Sequence, residues 1–282
     1  MSALVFPEPV RVPLRRRGFV AAIRAAEPRL FDLGALLLLL MLPSGFAALV
    51  DPNELHGVSV WSKPLKFQFA LGVYLLTLVF FARFLPAGTQ ATRWYRLFSA
   101  SVLVAIGLEM IWLVSAAILS VPSHFNTTPL GAAIYLSMGA AAVLLTSLST
   151  VFAVQIWRNG ATGLSPAVKE ALVVGLALVL PLTLVTAGTM SSLGGHWVGG
   201  AASDAGGLAL MGWARDGGDL RVGHFFATHA MHFIPAFGLV SAWLFGPSRV
   251  APVRLFSALF VLFVAFTFLQ ALDGRPFLPM LG

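Results

Sequence analysis

Seven predominantly apolar stretches, at roughly 33–50, 67–86, 97–120, 129–157, 169–189, 223–245 and 253–272, constrain this chain more than any other feature. Each approaches or exceeds the ~20 residues that carry an α-helix across the hydrocarbon core of a bilayer. The apolar residues run on in blocks instead of alternating, which favours helices over a membrane β-barrel. Composition agrees: 58% of the 282 residues are hydrophobic and 10% are charged, against about 25% charged in soluble domains. The expected fold is an all-α, polytopic membrane bundle of about seven transmembrane helices over 33–272. A basic segment over 1–32 precedes it and a short tail over 273–282 follows, with the lipid bilayer as first partner.

The net charge of +7 does not point to nucleic acid, because its distribution follows the membrane. With the N-terminus inside, thirteen of the eighteen Lys and Arg fall in inner segments, from Arg11, Arg15, Arg16 and Arg17 to Arg249 and Arg254. Lys63, Lys66, Arg215, Arg221 and Arg275 are left outside. This positive-inside bias predicts an N-in, C-out protein of the bacterial cytoplasmic (inner) membrane. Arg16-Arg17 superficially matches a twin-arginine signal, but Arg24, Glu27, Arg29 and Asp32 interrupt the path to the apolar run and no cleavage site follows. It reads as anchoring charge on an Ala-rich interfacial helix. Cysteine is absent, which excludes disulfides, thiolate metal sites and covalently attached haem.

The same orientation places all six histidines on the outer side: His56, His124, His196, His224, His229 and His232. Glu109 lies within the third apolar stretch, where a carboxylate is costly and normally faces the bundle interior or a water-filled cavity. Along a straight helix at about 100° per residue, His229 and His232 share a face while His224 points roughly 140° away from His229. Three imidazoles in this stretch therefore do not form one metal box, and His232 reads as a satisfied packing residue. Pro64 suits a helix start, and Asn126 or Thr128 suits a cap for the fourth helix. The loop 190–222 carries nine glycines, and Gly223 follows it as a tenth. Long loops of this kind are usually functional, and with His196, Trp197, Trp213 and Asp219 it is expected to be a lid over an outer cavity.

Several of these stretches resemble an uncharacterised family of bacterial multi-pass inner-membrane proteins. The resemblance rests on Trp61-Ser62-Lys63-Pro64-Leu65-Lys66-Phe67, the Ser123-His124-Phe125-Asn126 turn, Gly194-Gly195-His196-Trp197, and the run from Gly218-Asp219-Leu220-Arg221 through His224 to His229. It covers roughly 50–240 and brings no mechanism with it. It singles out Lys63, Lys66, Glu109, His124, Asn126, His196, Asp219, Arg221, His224 and His229. At His232 the family tends to carry Gln, which argues against an essential third imidazole there, and Ala116 to Ser120 replace a more polar turn.

Three functions follow as expectations. The first is a redox protein holding haem b or a transition metal between helices. It would use His124, His196, His224 and His229 as candidate ligands, with Lys63, Lys66 and Arg221 for propionates. As a metal site, the set is His124, His224, His229 and Glu109. The second is a proton-coupled transporter or receptor for a small anionic or lipidic solute. The third is an enzyme acting on a lipid head group through a histidine base.

Overall fold

The computed structural model describes residues 18–278. Arg11, Arg15, Arg16, Arg17 and the last residues of the tail lie outside the described residues. Nine helices order the described part: α1 (Phe19–Ala26), α2 (Pro28–Val50), α3 (Ser62–Ala82), α4 (Arg93–Ile118), α5 (Pro129–Arg158), α6 (Pro166–Leu193), α7 (Arg221–Thr228), α8 (Ala230–Phe245) and α9 (Ala251–Leu272). Two two-residue hairpins complete it: β1 (Glu54–Leu55) with β2 (Val58–Ser59), and β3 (Trp197–Val198) with β4 (Gly218–Asp219).

Six of the helices are long and apolar enough to cross a membrane, and α7 with α8 make a seventh span bent by 53°. The protein is a multi-pass membrane bundle. Its outward faces carry Leu42, Leu49, Leu108, Ile111, Leu136, Trp157, Trp243 and Phe266 in the open, which is stable only against lipid. Inside, Leu37, Leu75, Leu78, Ile106, Leu148, Phe152 and Leu176 belong to one continuous core.

Local chemistry sets the helix ends. Proline opens α2, α5, α6 and α9 in the first turn, where its fixed φ suits initiation and no N–H is lost. Thr128 caps α5 by accepting from the Gly131 amide at 3.1 Å. Asn126 accepts in turn from the Thr128 amide and hydroxyl at 3.0 and 2.8 Å, so both residues named for the cap take part. Gly194 ends α6 at φ 67, a left-handed terminus that glycine adopts without strain. Small residues let helices approach closely: Gly34 meets Gly72 between α2 and α3, and Gly175 takes the Pro235 ring and the Ala230 carbonyl of α8.

The helices differ from the apolar stretches in two places. Helix α2 begins at Pro28, five residues before the apolar stretch 33–50. The stretch 223–245 is not one helix: the chain breaks at His229, whose φ and ψ of −91° and 6° are not helical. Pro235 lies inside α8, six residues beyond the break, and weakens that helix's first turn. A proline has no N–H to donate to the carbonyl four residues back and its ring crowds that position, which is the Met231 carbonyl in the first turn of α8.

Candidate functional site

The loops 51–61, 119–128 and 194–220 meet at one end of the bundle. The stretch 194–220 is a folded lid. Its His196 carbonyl accepts from the Leu220 amide at 2.9 Å, and β3 pairs with β4 through Trp197 and Asp219. The β1–β2 turn interlocks with it. His56 offers its carbonyl to the Asp204 amide at 2.9 Å and the Ser203 hydroxyl at 3.0 Å. Gly57 sits at φ 78 with Ala205 and Ser203 filling the space of a side chain.

Arg221, in the first turn of α7, is the hub of this lid. Its Nε and Nη2 grip Asp219 at 2.9 and 2.6 Å, and Nη2 also donates to Asp204 at 2.6 Å and the Gly212 carbonyl at 2.8 Å. Asp219, 1% exposed, accepts further from the Ala214 and Arg221 amides, both at 3.0 Å. Lys66 donates to the Met211 carbonyl at 3.0 Å. His196 packs tilted against Trp197 with ring centroids 3.8 Å apart, and its Nε2 lies 3.7 Å from Asp204, too long for a hydrogen bond. Burial opposes the charged form of Asp204, but His196 and Arg221 outweigh it and hold the carboxyl below the usual range. Burial pushes the His196 imidazole down, against the pull of Asp204.

Beneath the lid, Lys63 lies within electrostatic reach of Glu109, Arg221 and Asp204. Unlike Lys66 and Arg221, it makes no hydrogen bond to a described residue. Glu109 is 5% exposed, and its Oε2 is buried without a hydrogen-bond partner. His124 borders this pair. It packs against Phe67 at 5.7 Å and Tyr135 at 5.6 Å, and bonds Ser123 at 3.3 Å. Burial, and then the Lys63 charge, push its imidazole down to about 3.

The other imidazoles follow a different track. His224 Nδ1 meets the Thr186 hydroxyl of α6 at 3.0 Å. At the helix break, His229 stacks on Phe225 at 4.0 Å and turns Nδ1 to the Phe225 carbonyl at 2.8 Å. Its ring lies 5.1 Å from that of His232, whose Nε2 meets the Thr77 hydroxyl of α3 at 3.0 Å. His232 Nδ1 is buried and unpartnered, so this residue is not the satisfied packing group expected from sequence.

The predicted residues are thus brought together in part. Lys63, Glu109 and His124 share one locus, with Arg221, Lys66 and His196 above it, and His224 and His229 belong with His232. Among the described residues no three His, Asp or Glu side chains gather as a metal-binding group, so His124, His224, His229 and Glu109 do not converge as ligands. Lys66 and Arg221 are engaged by the lid, His124 is enclosed by Phe67, Phe125 and Tyr135, and His229 is covered by Phe225. Sequence reasoning missed Asp204, Thr77 and Thr186. Nothing in their local patterns sets them apart from other loop acids or helix hydroxyls.

Comparison with protein-family models, curated proteins and solved structures gives no match for this chain.

Proposed function

We propose that the protein is a proton-coupled carrier or receptor for a small anionic solute, in a bacterial cytoplasmic membrane. The observation that carries this reading is the buried, unpaired Glu109 carboxyl within reach of a Lys63 ammonium that the lid leaves unbonded. An unpartnered ionisable group in a bundle interior costs several kcal/mol, and such groups mark substrate and proton pathways. Lys63 supplies the positive charge for an anion. Glu109 supplies a proton that is exchangeable because no neighbour holds it. The span broken at His229 agrees with this, since discontinuous membrane helices line solute sites in carriers. Kinship with the inner-membrane family suggested by the Ser123-His124-Phe125-Asn126 and Gly218-Asp219-Leu220-Arg221 stretches is part of the same proposal.

The test uses three probes: acetate, inorganic phosphate, and short-chain phosphatidic acid as the lipidic form of phosphate. At least one is expected to raise the unfolding temperature of the wild-type protein in detergent, and to do so far less in Lys63→Gln. In proteoliposomes with a trapped pH dye, the same anion is expected to drive acidification that Glu109→Gln abolishes. Free phosphate acting without phosphatidic acid selects a soluble solute, and the reverse selects a lipid. If no probe stabilises the protein or moves protons, the reading fails.

A further inference from the structure

The imidazoles of α7 and α8 stand apart from the Lys63–Glu109 locus, and their bonding has a direction. A carbonyl only accepts, so the 2.8 Å contact between His229 Nδ1 and Phe225 O puts the ring hydrogen on Nδ1 and leaves Nε2 of the neutral ring as a base. The neighbouring His232 ring is 5.1 Å away. One of its nitrogens faces the Thr77 hydroxyl, and the other is buried with no partner. No Lys, Arg or carboxylate of α3, α6 or α9 bears on these rings. Among the described residues, the charge felt by His224 and His232 is that of His229.

The track also has length. His224 bonds Thr186, and the Ala230 carbonyl lies against Gly175; on α6 these positions are roughly 16 Å apart at 1.5 Å per residue. Thr77, where the track ends on α3, is only about 8 Å from the far end of that helix at Ala82. There Gln90 bridges the Ala82 and Ala26 carbonyls at 3.3 and 3.5 Å, which brings Glu27 level with the end of α3. Glu27 is 3% exposed beside Tyr95, itself 1% exposed, and burial lifts its carboxyl above the ordinary range despite Tyr95 and Arg29. A buried carboxyl therefore stands at the end of the bundle opposite the lid.

We infer that His229, His232 and Thr77 form a proton relay through the helix break, running from the lid end towards Glu27. A proton arriving at His229 Nε2 leaves from that atom, because Nδ1 is held by Phe225. In the tautomer of His232 with its hydrogen on Nε2, facing Thr77, the proton adds to Nδ1 and the one on Nε2 passes to Thr77. The hydroxyl releases its own proton in the direction of the Glu27 carboxyl, the proposed acceptor at that end of the bundle. This leaves His232 with its hydrogen on Nδ1, and the starting tautomer returns when Nδ1 gives up that proton and Nε2 takes one. This deepens the proposed carrier function and rests on it: Glu109 binds the coupled proton at the solute site, and the histidines carry protons across the helix break.

Proton entry into proteoliposomes holding the full-length protein tests this, with a potassium diffusion potential as driving force and acetate, inorganic phosphate or phosphatidic acid present. Relay groups typically contribute about 10²–10⁴-fold to proton transfer, so His232→Gln is expected to slow entry at least about tenfold. Thr77→Val should slow it comparably, while Thr77→Ser restores it. Stabilisation of the protein by the active anion should persist in all three, which shows that they fold and bind. Wild-type entry rates in folded His232→Gln and Thr77→Val overturn the relay and leave the carrier reading standing on Glu109. Loss of anion stabilisation and of proton entry in Glu109→Gln alone, with the relay variants unaffected, overturns the relay in the same way. No proton movement by the wild-type protein with any anion overturns the relay and the proton coupling together.

Discussion

Arg221 and Glu109 lie at the same end of the bundle, within reach of the same lysine, and are built in opposite ways. Arg221 is met by two aspartates and a carbonyl, and its main partner Asp219 is saturated by amides. Glu109 has a buried oxygen with no partner and a lysine that does not touch it. Sequence marks Glu109 as a carboxylate where charge is costly and Arg221 as a cation on the side where positive charge is scarce. The difference in bonding separates their roles: a satisfied network orders the lid, and an unsatisfied group is kept for something that comes and goes. Rigid polar networks must be complete to be stable, whereas exchange requires an incomplete one.

The sharpest way to break this contrast is to remove Arg221. Arg221→Ala strands Asp219 in the interior, and breaking a buried ion pair typically costs about 3–5 kcal/mol. Thermal or denaturant unfolding in detergent should show a loss of that size. Arg221→Lys should recover little, because a point charge cannot reproduce the paired contacts of the guanidinium. A change below about 1 kcal/mol would mean that the hub is a surface ion pair.

The lid's seat on α9 gives a smaller effect. A side chain at Gly218 would run into the Ala271 carbonyl, and backbone cannot yield as a side-chain tip can. Gly218→Ala should cost roughly 1–3 kcal/mol. Gly107, two residues before Glu109, has nothing within 4 Å of an added Cβ. Gly107→Ala should be neutral, or stabilising by up to about 1 kcal/mol from helix propensity. If both substitutions destabilise equally, the lid is not the tightly fitted element.

Glu109→Gln tests the other half. No bond is broken, so unfolding should shift by less than about 1 kcal/mol in either direction, while anion-driven proton uptake disappears. A stability loss as large as that of Arg221→Ala would make Glu109 a structural residue.

How much of this was legible in sequence depends on range. Helix existence, the Thr128 cap and the proline starts are local, and hydropathy with cap chemistry finds them. The break at His229 is local too, yet an apolar run containing Pro235 reads the same whether the helix bends or snaps; the close fit of Pro235 and Ala230 against Gly175 decides it. Glu109 stands out as a costly carboxylate, and Lys63 and His124 as polar residues of the outer side. Their grouping depends on how α3, α4 and the loop before α5 pack, and no spacing encodes that. His232 failed for the same reason: its partner Thr77 is 155 positions away, and the helix surface alone gave no sign of a second nitrogen left bare.

The response to acid separates His124 from the hub. A histidine titrates near 6.5 when unfolded. In the fold, burial among aromatic rings and the Lys63 charge bring His124 down to about 3, so the native state prefers the neutral ring. Its contribution to stability is complete above about 6.5 and is lost progressively as pH falls towards 3. Asp204 behaves otherwise. Its native carboxyl is held below the usual range, so its contribution is complete above its unfolded value near 3.9 and is lost only as pH falls below that. Between pH 6.5 and 4, then, His124 loosens its surroundings while the Asp204–Arg221 contact stays intact. Unfolding temperature recorded across that window should fall less steeply in His124→Gln than in the wild-type protein, and Asp204→Asn should lower the whole curve without changing its slope. Equal slopes in wild type and His124→Gln would show that the ring is solvated and already protonated in the native bundle, and the pairing of a neutral histidine with Lys63 beside Glu109 would have to be abandoned.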